Sequence, residues 1–409
     1  MGTHIQFRAR ADIPLPMSEA ASPIGIYIHF PFCVRKCRYC DFNSSAAPWK
    51  EREQYLAALE TEIAAWPARR RAFALPAATV YFGGGTPSLY PAGDLARILA
   101  SLGEHFTLAP EAEITCEINP GTITARSLAE LRACGFNRLS IGVQSFRDEE
   151  LEFLGRIHSA AVAEKAVADA HTAGFANVSL DLIRALPGQT LDDWSYTLHR
   201  ALSLRPEHLS TYGLSIEPDT PLFRDLEAGV FELCDEDTQI AMFEHTRETL
   251  TAAGYEHYEI SNYARRASNT SDEPSPFRCR HNENYWRNGG YVGFGAGAWS
   301  YMDGVRSRNV RFHTNYIEAV LAGIDPTVER DCPDARTSLG ETIMLALRTS
   351  DGVSYSRLAD RFGVDVAQEF AEQIAKLTGL GLIESTSAGF RLTPHAYLLE
   401  SEIAAMFLD

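Results

Sequence analysis

Between residues 24 and 216, apolar β-rich runs alternate strictly with segments of helical period. That alternation is the strongest constraint on what the chain can fold into. Strand patterns lie at 24–30, 79–82, 113–118, 139–143, 178–183 and 208–214, and helical patterns at 51–66, 95–102, 125–133, 148–154, 160–173 and 191–202. A parallel strand pair needs a crossover of about a dozen residues, which each helix supplies. The pattern therefore predicts an α/β fold with a parallel sheet and covering helices. Its punctuation agrees: Pro31 stops the first strand, Pro67 is expected to end the first helix, and Gly135 and Gly174 close later ones. Six βα units fit this stretch. A closed barrel needs eight, so a partial (β/α)6 barrel is expected.

Beyond residue 216 the pattern loosens. A helix is expected at 235–253, a long Ser/Asn/Pro/Arg-rich loop at 261–280, and a Gly/aromatic stretch at 285–301. Helical patterns return at 341–347, 355–362 and 366–377. A hairpin follows at 382–392 around Ser387-Ala388-Gly389, as in a winged-helix-like module. The expected organisation is a leader at 1–23, the partial barrel at 24–216, an α+β extension at 217–337 and a winged-helix-like domain at 338–409.

Charge and apolar runs narrow the partners. The chain has 37 Lys+Arg against 54 Asp+Glu, a formal net charge of −17. A phosphate backbone calls for a basic face. The tail's Arg336, Arg348, Arg357 and Arg361 are scattered among acids, so no nucleic-acid partner is expected. No apolar run approaches the ~18–20 residues of a membrane span, and the leader lacks the apolar core of a secretory signal. The expectation is a cytoplasmic protein without an integral membrane segment. Three of its eight cysteines bunch together, which in a reduced compartment suggests a metal site rather than a disulfide.

That bunch, Cys33-x3-Cys37-x2-Cys40, follows the first strand directly. Three thiolates within eight residues can wrap an iron–sulfur cluster. A structural zinc site usually closes with four ligands, often two paired cysteines. Here the second pair is absent, which leaves a cluster with one open iron, or a zinc with a distant fourth ligand. Gly83-Gly84-Gly85-Thr86 follows the second strand and lets a backbone approach a ligand closely. Glu117, Gln144 and Asp181 end later strands, and Arg156 follows the next helical turn. Polar groups at the C-terminal ends of parallel strands are where α/β folds bind ligands.

Tyr27-x-His29-x-Pro31-x-Cys33-x3-Cys37-x2-Cys40 resembles the radical S-adenosylmethionine (SAM) superfamily, and the flanking motifs resemble its coproporphyrinogen-oxidase-like branch. The resemblance runs from residue 24 through the C-terminal module. It implies a 4Fe–4S cluster on Cys33, Cys37 and Cys40, with SAM chelating the open iron and cleaved on reduction. It also implies a SAM-contacting set of Tyr27, Gly84, Gly85, Thr86, Glu117, Gln144, Arg156 and Asp181. In that set the Gly-rich turn takes the amino group, Glu117 the ribose hydroxyls and Arg156 the carboxylate.

Two features separate the branches. The coproporphyrinogen dehydrogenases have a further Cys two residues past the third, where this chain has Phe42, and a longer N-terminal segment. His281-Asn282-Glu283-Asn284-Tyr285-Trp286 resembles the HNxxYW signature of the HemW heme-chaperone branch. That resemblance implies heme as a third cofactor at His281, with Cys279 a further axial candidate. It also implies an acceptor hemoprotein and an electron donor such as a flavodoxin or ferredoxin. The alternative is a radical SAM enzyme, either an oxygen-independent coproporphyrinogen III oxidase-like protein or a related methylase. Arg184-Ala185, where the chaperone branch has Tyr-Gly, and Trp299, where a His is expected, keep that alternative open.

Overall fold

The computed structural model describes residues 22–69, 75–268 and 273–408. The leader up to residue 21 lies outside them. The described chain forms two compact units, one of residues 22–285 with 289–331, the other of residues 286–288 with 332–409.

In the larger unit six strands alternate with helices. The strands are β1 (Ile24–Phe30), β2 (Ala77–Gly84), β3 (Leu108–Ile118), β4 (Arg138–Gln144), β5 (Val178–Arg184) and β6 (His208–Gly213). The helices are α1 (Trp49–Arg69), α2 (Ala92–His105), α3 (Ala125–Ala133), α4 (Asp148–Leu154), α5 (Ala160–Thr172) and α6 (Leu191–Ser203). β1 to β6 pair in parallel and in chain order, the partial (β/α)6 architecture the alternation predicts. Alternation within each strand sorts the side chains. On β4, Leu139, Ile141 and Val143 are fully buried in the apolar core. Arg138, Ser140, Gly142 and Gln144 lie on the opposite, concave face, where they line cavities. Caps fix the helix starts: Thr190 and Asp193 form a capping box on α6, and the Thr124 and Ser159 side chains accept N–H bonds on α3 and α5.

The sequence reading is corrected at three elements here. Pro67 does not end α1, which continues to residue 69 with the proline inside its last turn, at the cost of one backbone bond. The stretch after residue 216 is more regular than its composition suggests. After α7 (Pro221–Glu227) and α8 (Glu236–Ala252) comes a hairpin of β7 (Tyr255–Glu259) and β8 (Asn262–Arg265). β8 also pairs antiparallel with β6, so the expected loop at 261–280 begins as a strand. Asn and Arg are weak β formers, but Tyr263 and Ala264 are buried and pairing satisfies the sheet edge. Past α9 (Arg280–Trp286), β9 (Tyr291–Phe294) pairs in parallel with β1 on the other flank. β10 (Trp299–Met302), β11 (Val305–Asn309), α10 (His313–Leu321) and β12 (Thr327–Asp331) complete the unit. The result is a twelve-stranded sheet in which the extension's strands cover both edges of the barrel strands.

The smaller unit is winged-helix-like. It contains α11 (Ala335–Leu347), β13 (Val353–Ser354), α12 (Tyr355–Phe362), α13 (Val366–Glu369), α14 (Ala371–Gly379), β14 (Ile383–Ser385), β15 (Gly389–Leu392) and α15 (Glu400–Ala405). The expected helix at 366–377 breaks at Phe370, which leaves helical geometry at φ −111. Its ring is buried against Phe407, 5.2 Å between centroids. Among the described residues no helix is long and apolar enough to cross a membrane.

Candidate functional site

The three clustered cysteines sit on the loop that leaves β1. The loop is pinned without help from any metal. Cys33 N–H donates to the Ser45 carbonyl (3.0 Å), Ser45 N–H to Pro31 (2.9 Å), and Cys40 N–H to Cys37 (3.3 Å). Asn43 Nδ2 donates to the carbonyls of Ala296 and Arg311, and the Asn43 carbonyl lies 2.8 Å from His29 Nε2. All three thiols are partly exposed and line one cavity of about 140 Å3.

Seven of the eight residues implied for SAM line that same cavity: Gly84, Gly85, Thr86, Glu117, Gln144, Arg156 and Asp181. Gly85 has no room for a side chain, because a Cβ would lie 2.6–2.8 Å from backbone atoms of Phe30 and Phe32. Gly84 takes φ +108 and abuts the His29 ring. Gln144 is held at φ 69 beside a register shift in β4, the kind of backbone strain that clusters at ligand sites. The eighth residue, Tyr27, lies deeper. It is half-buried on β1, its hydroxyl 3.1 Å from His29 Nδ1 and its ring stacked on Tyr81. Tyr27 therefore backs the wall rather than facing the opening.

Two donors reach the sulfurs. Thr86 Oγ1 lies 3.5 Å from Cys33 Sγ, and Arg156 Nη1 lies 3.3 Å from Cys37 Sγ. Arg156 Nη2 also donates to the Gly142 carbonyl (2.7 Å). Positive and polar donors beside the thiols suit a negatively charged sulfur cluster. Burial pushes the Cys40 thiol up to about 11, so an incoming metal must displace its proton. Among the described residues no three His, Cys, Asp or Glu side chains converge on one metal ion. A single zinc would ask for that convergence; a cubane asks each thiolate to hold a different iron. The donor set fits a cluster.

Glu117 accepts from the Tyr81 hydroxyl (2.9 Å) and the Gly84 N–H (3.0 Å). Burial, reinforced by the charge of Asp181, raises its pKa from 4.5 to about 7. A raised carboxyl contributes stability that is present below its unfolded value and lost as pH rises through the folded one. Glu117→Gln is therefore expected to gain thermal stability relative to wild type as pH climbs from about 4.5 to about 7. The gain should then level off. Ligand-free melting curves check this, and parallel pH profiles for the two proteins would refute it.

The HNxxYW segment lies on α9, which leaves Arg280 exposed and buries His281 to 1% exposure. Its Nδ1 lies 2.7 Å from Thr79 Oγ1 and its Nε2 2.9 Å from the Tyr285 hydroxyl. It packs on Tyr81 (5.0 Å), and burial lowers its pKa to about 3. Neither ring nitrogen is free. Cys279 is also buried, and burial pushes its thiol up to about 12, which disfavours a thiolate. Arg184 and Trp299 line neither cavity described here. Arg184 donates to the Gln239 carbonyl, while Trp299 lies under Arg308. Ala185 stands at φ 61, a conformation that the glycine expected there adopts without strain.

Sequence reasoning missed Ser140, Asn119, Ser44 and Tyr39, which also line the thiol cavity. Ser140 donates to Asp181 at 3.0 Å. The β4 alternation held its signal, since Ser140 shares the inward face with Gly142.

Comparison with known proteins places the chain in a family. The Radical SAM superfamily model matches residues 27–201, and the HemN C-terminal domain model matches residues 334–399. The chain is 36% identical over 372 residues to "Heme chaperone HemW" of Synechocystis, covering 88% of this chain and 85% of the relative. It is 34% identical over 385 residues to the protein of the same name in Bacillus subtilis, covering 93% and 98%. Against the Escherichia coli protein of that name it is 41% identical over 281 residues, covering 68% and 69%. The solved structure of coproporphyrinogen III oxidase (HemN) from Escherichia coli superposes with a TM-score of 0.80 at 25% identity, covering 95% of this chain and 90% of that one.

Proposed function

This chain belongs to the HemW heme-chaperone family within the radical SAM superfamily, and on that premise we propose that it binds a 4Fe–4S cluster, SAM and heme, and hands the heme to an acceptor hemoprotein. The observation that carries the reading is the single cavity shared by Cys33, Cys37 and Cys40 with seven residues of the SAM-contacting set. The cluster, when bound, supplies an open iron for the sulfonium ligand and an electron for its cleavage.

The residues divide that work. Cys33, Cys37 and Cys40 hold three irons, and the Gly84-Gly85-Thr86 turn takes the amino group against bare backbone. Glu117 accepts the ribose hydroxyls, which favours its ionised form. Arg156 spans the site, with its guanidinium against Cys37, the Tyr39 hydroxyl and the Gly142 carbonyl, and would take the carboxylate. Gln144 and Asp181 close the adenosine side. Exposed Arg35 and Lys36, between the first two thiols of an acidic chain, suit an acidic electron donor of the flavodoxin or ferredoxin class.

Direct heme ligation by His281 requires its bond to Tyr285 to open. Anaerobic reconstitution followed by parallel heme-binding and 5′-deoxyadenosine assays tests the reading. The expected result is a cluster whose electron-paramagnetic signal shifts with SAM, together with stoichiometric heme binding. Unchanged heme binding in His281→Ala removes that residue from the ligand role. Turnover of coproporphyrinogen with stoichiometric 5′-deoxyadenosine would replace the chaperone reading with the enzymatic one.

A further inference from the structure

Below the thiol cavity, and sharing Tyr39, Cys40, Glu117, Ser140, Gln144 and Asp181 with it, a second cavity of about 380 Å3 runs into the barrel. Its lining changes character with depth. Phe42, Tyr212 and Leu214 lie where the loops open, and Phe42 and Tyr212 are exposed. Arg138, at the start of β4, lies at the other end of its strand, and Asn282 of the HNxxYW segment lines the same space.

Arg138 is 2% exposed, yet among the described residues its side chain makes no hydrogen bond or ion pair, and its Nε is a buried donor without a partner. Its strand neighbour Thr115 likewise keeps a buried hydroxyl without a partner. The carboxylates of Glu117 and Asp181 feel the charge of Arg138 without bonding to it, and so does that of Glu113. The Glu113 oxygens are taken by the Cys279 thiol and by the backbone N–H groups of Arg280 and His281. The contrast with Arg278 is direct. That equally buried guanidinium is paired with Glu256 at 2.6 Å. Leaving a charged fork unpaired in a protein interior is costly, and a cavity at its side lets a ligand complete it. A guanidinium matches a carboxylate in two-pronged geometry.

We propose that Arg138, with Asn282 beside the same space, is the seat for a carboxylate on the molecule that enters the barrel, and that the cargo tetrapyrrole inserts one propionate there while its ring rests against Phe42, Tyr212 and Leu214. The proposal rests on the heme reading above. A second source of the same chemistry is the amino-acid carboxylate of SAM, so the test carries an arm for each.

The full-length reconstituted protein is titrated with ferric heme and with its dimethyl ester in matched co-solvent, and separately with SAM. Wild type is expected to bind heme at least about tenfold more tightly than the ester, the usual scale for a charge-assisted bond. Arg138→Met is expected to erase that preference, Arg138→Lys to keep part of it, and both to leave SAM affinity unchanged. A preserved heme-over-ester preference in Arg138→Met would overturn the seat. A loss of SAM affinity with heme binding intact would reassign the seat to the sulfonium's carboxylate and overturn the propionate assignment. Failure of wild type to bind either porphyrin strikes the heme reading itself, which separates the two failures.

Discussion

With alanine at Cys33, Cys37 and Cys40 together, anaerobically reconstituted protein is expected to lose essentially all of the about four irons and matching sulfide of a cubane, and with them its affinity for SAM. The fold should barely respond. The loop is closed by backbone bonds from Cys33, Ser45 and Cys40 that survive the substitution, and the thiols are only partly buried. Ligand-free stability should therefore change by no more than about 1 kcal/mol, as for most half-exposed positions. Alanine at Cys134 and Cys332, which lie away from the cavity, should leave iron content intact. Iron and sulfide analysis alongside melting curves checks all of this. Retention of a cluster by the triple variant would remove the central coordination argument.

The largest expected loss of stability lies far from the chemistry. Glu62, on α1, is 1% exposed and accepts from the Gly295 N–H (2.9 Å), Asn309 Nδ2 (2.7 Å) and the Tyr316 hydroxyl (2.6 Å). One carboxylate thus ties the first helix to the loop after β9, to β11 and to α10. Glu62→Ala takes the acceptor from three buried donors, of which Asn309 Nδ2 keeps the Gly295 carbonyl, at a cost of about 1–3 kcal/mol for each donor left unsatisfied, and opens a void. A loss of about 3 kcal/mol or more is expected in urea unfolding. Glu62→Gln, which keeps one acceptor oxygen, should lose less. A loss under about 1 kcal/mol for the alanine variant would mean that water fills the site and re-bonds the donors.

How much of this was legible is clearest where the two readings diverge. The barrel strands were readable because each pairs an outward apolar row with helices, and that burial imprints alternation on the sequence. The cavity at the thiols was readable because short-range spacing and strand ends place ligands without long-range knowledge. The depth of Tyr27 and His281 was not legible, for a common reason. A motif gives residue identity but not depth, and depth here depends on α9 folding inward against Thr79 and Tyr81. The strand at 262–265 was read as loop because its stability comes from two partners distant in sequence, not from its own residues.

The amino-acid order alone determined the βα repetition, the thiol triplet after the first strand and the polar residues at the strand ends. All three are local patterns that secondary-structure periodicity and ligand chemistry write directly into neighbouring positions. Only the tertiary structure decided which charges are answered. Glu62 is surrounded by donors, Arg278 has its carboxylate and the Arg138 side chain has no hydrogen-bond partner among the described residues, because satisfaction of a buried polar group depends on elements that meet only when the chain closes.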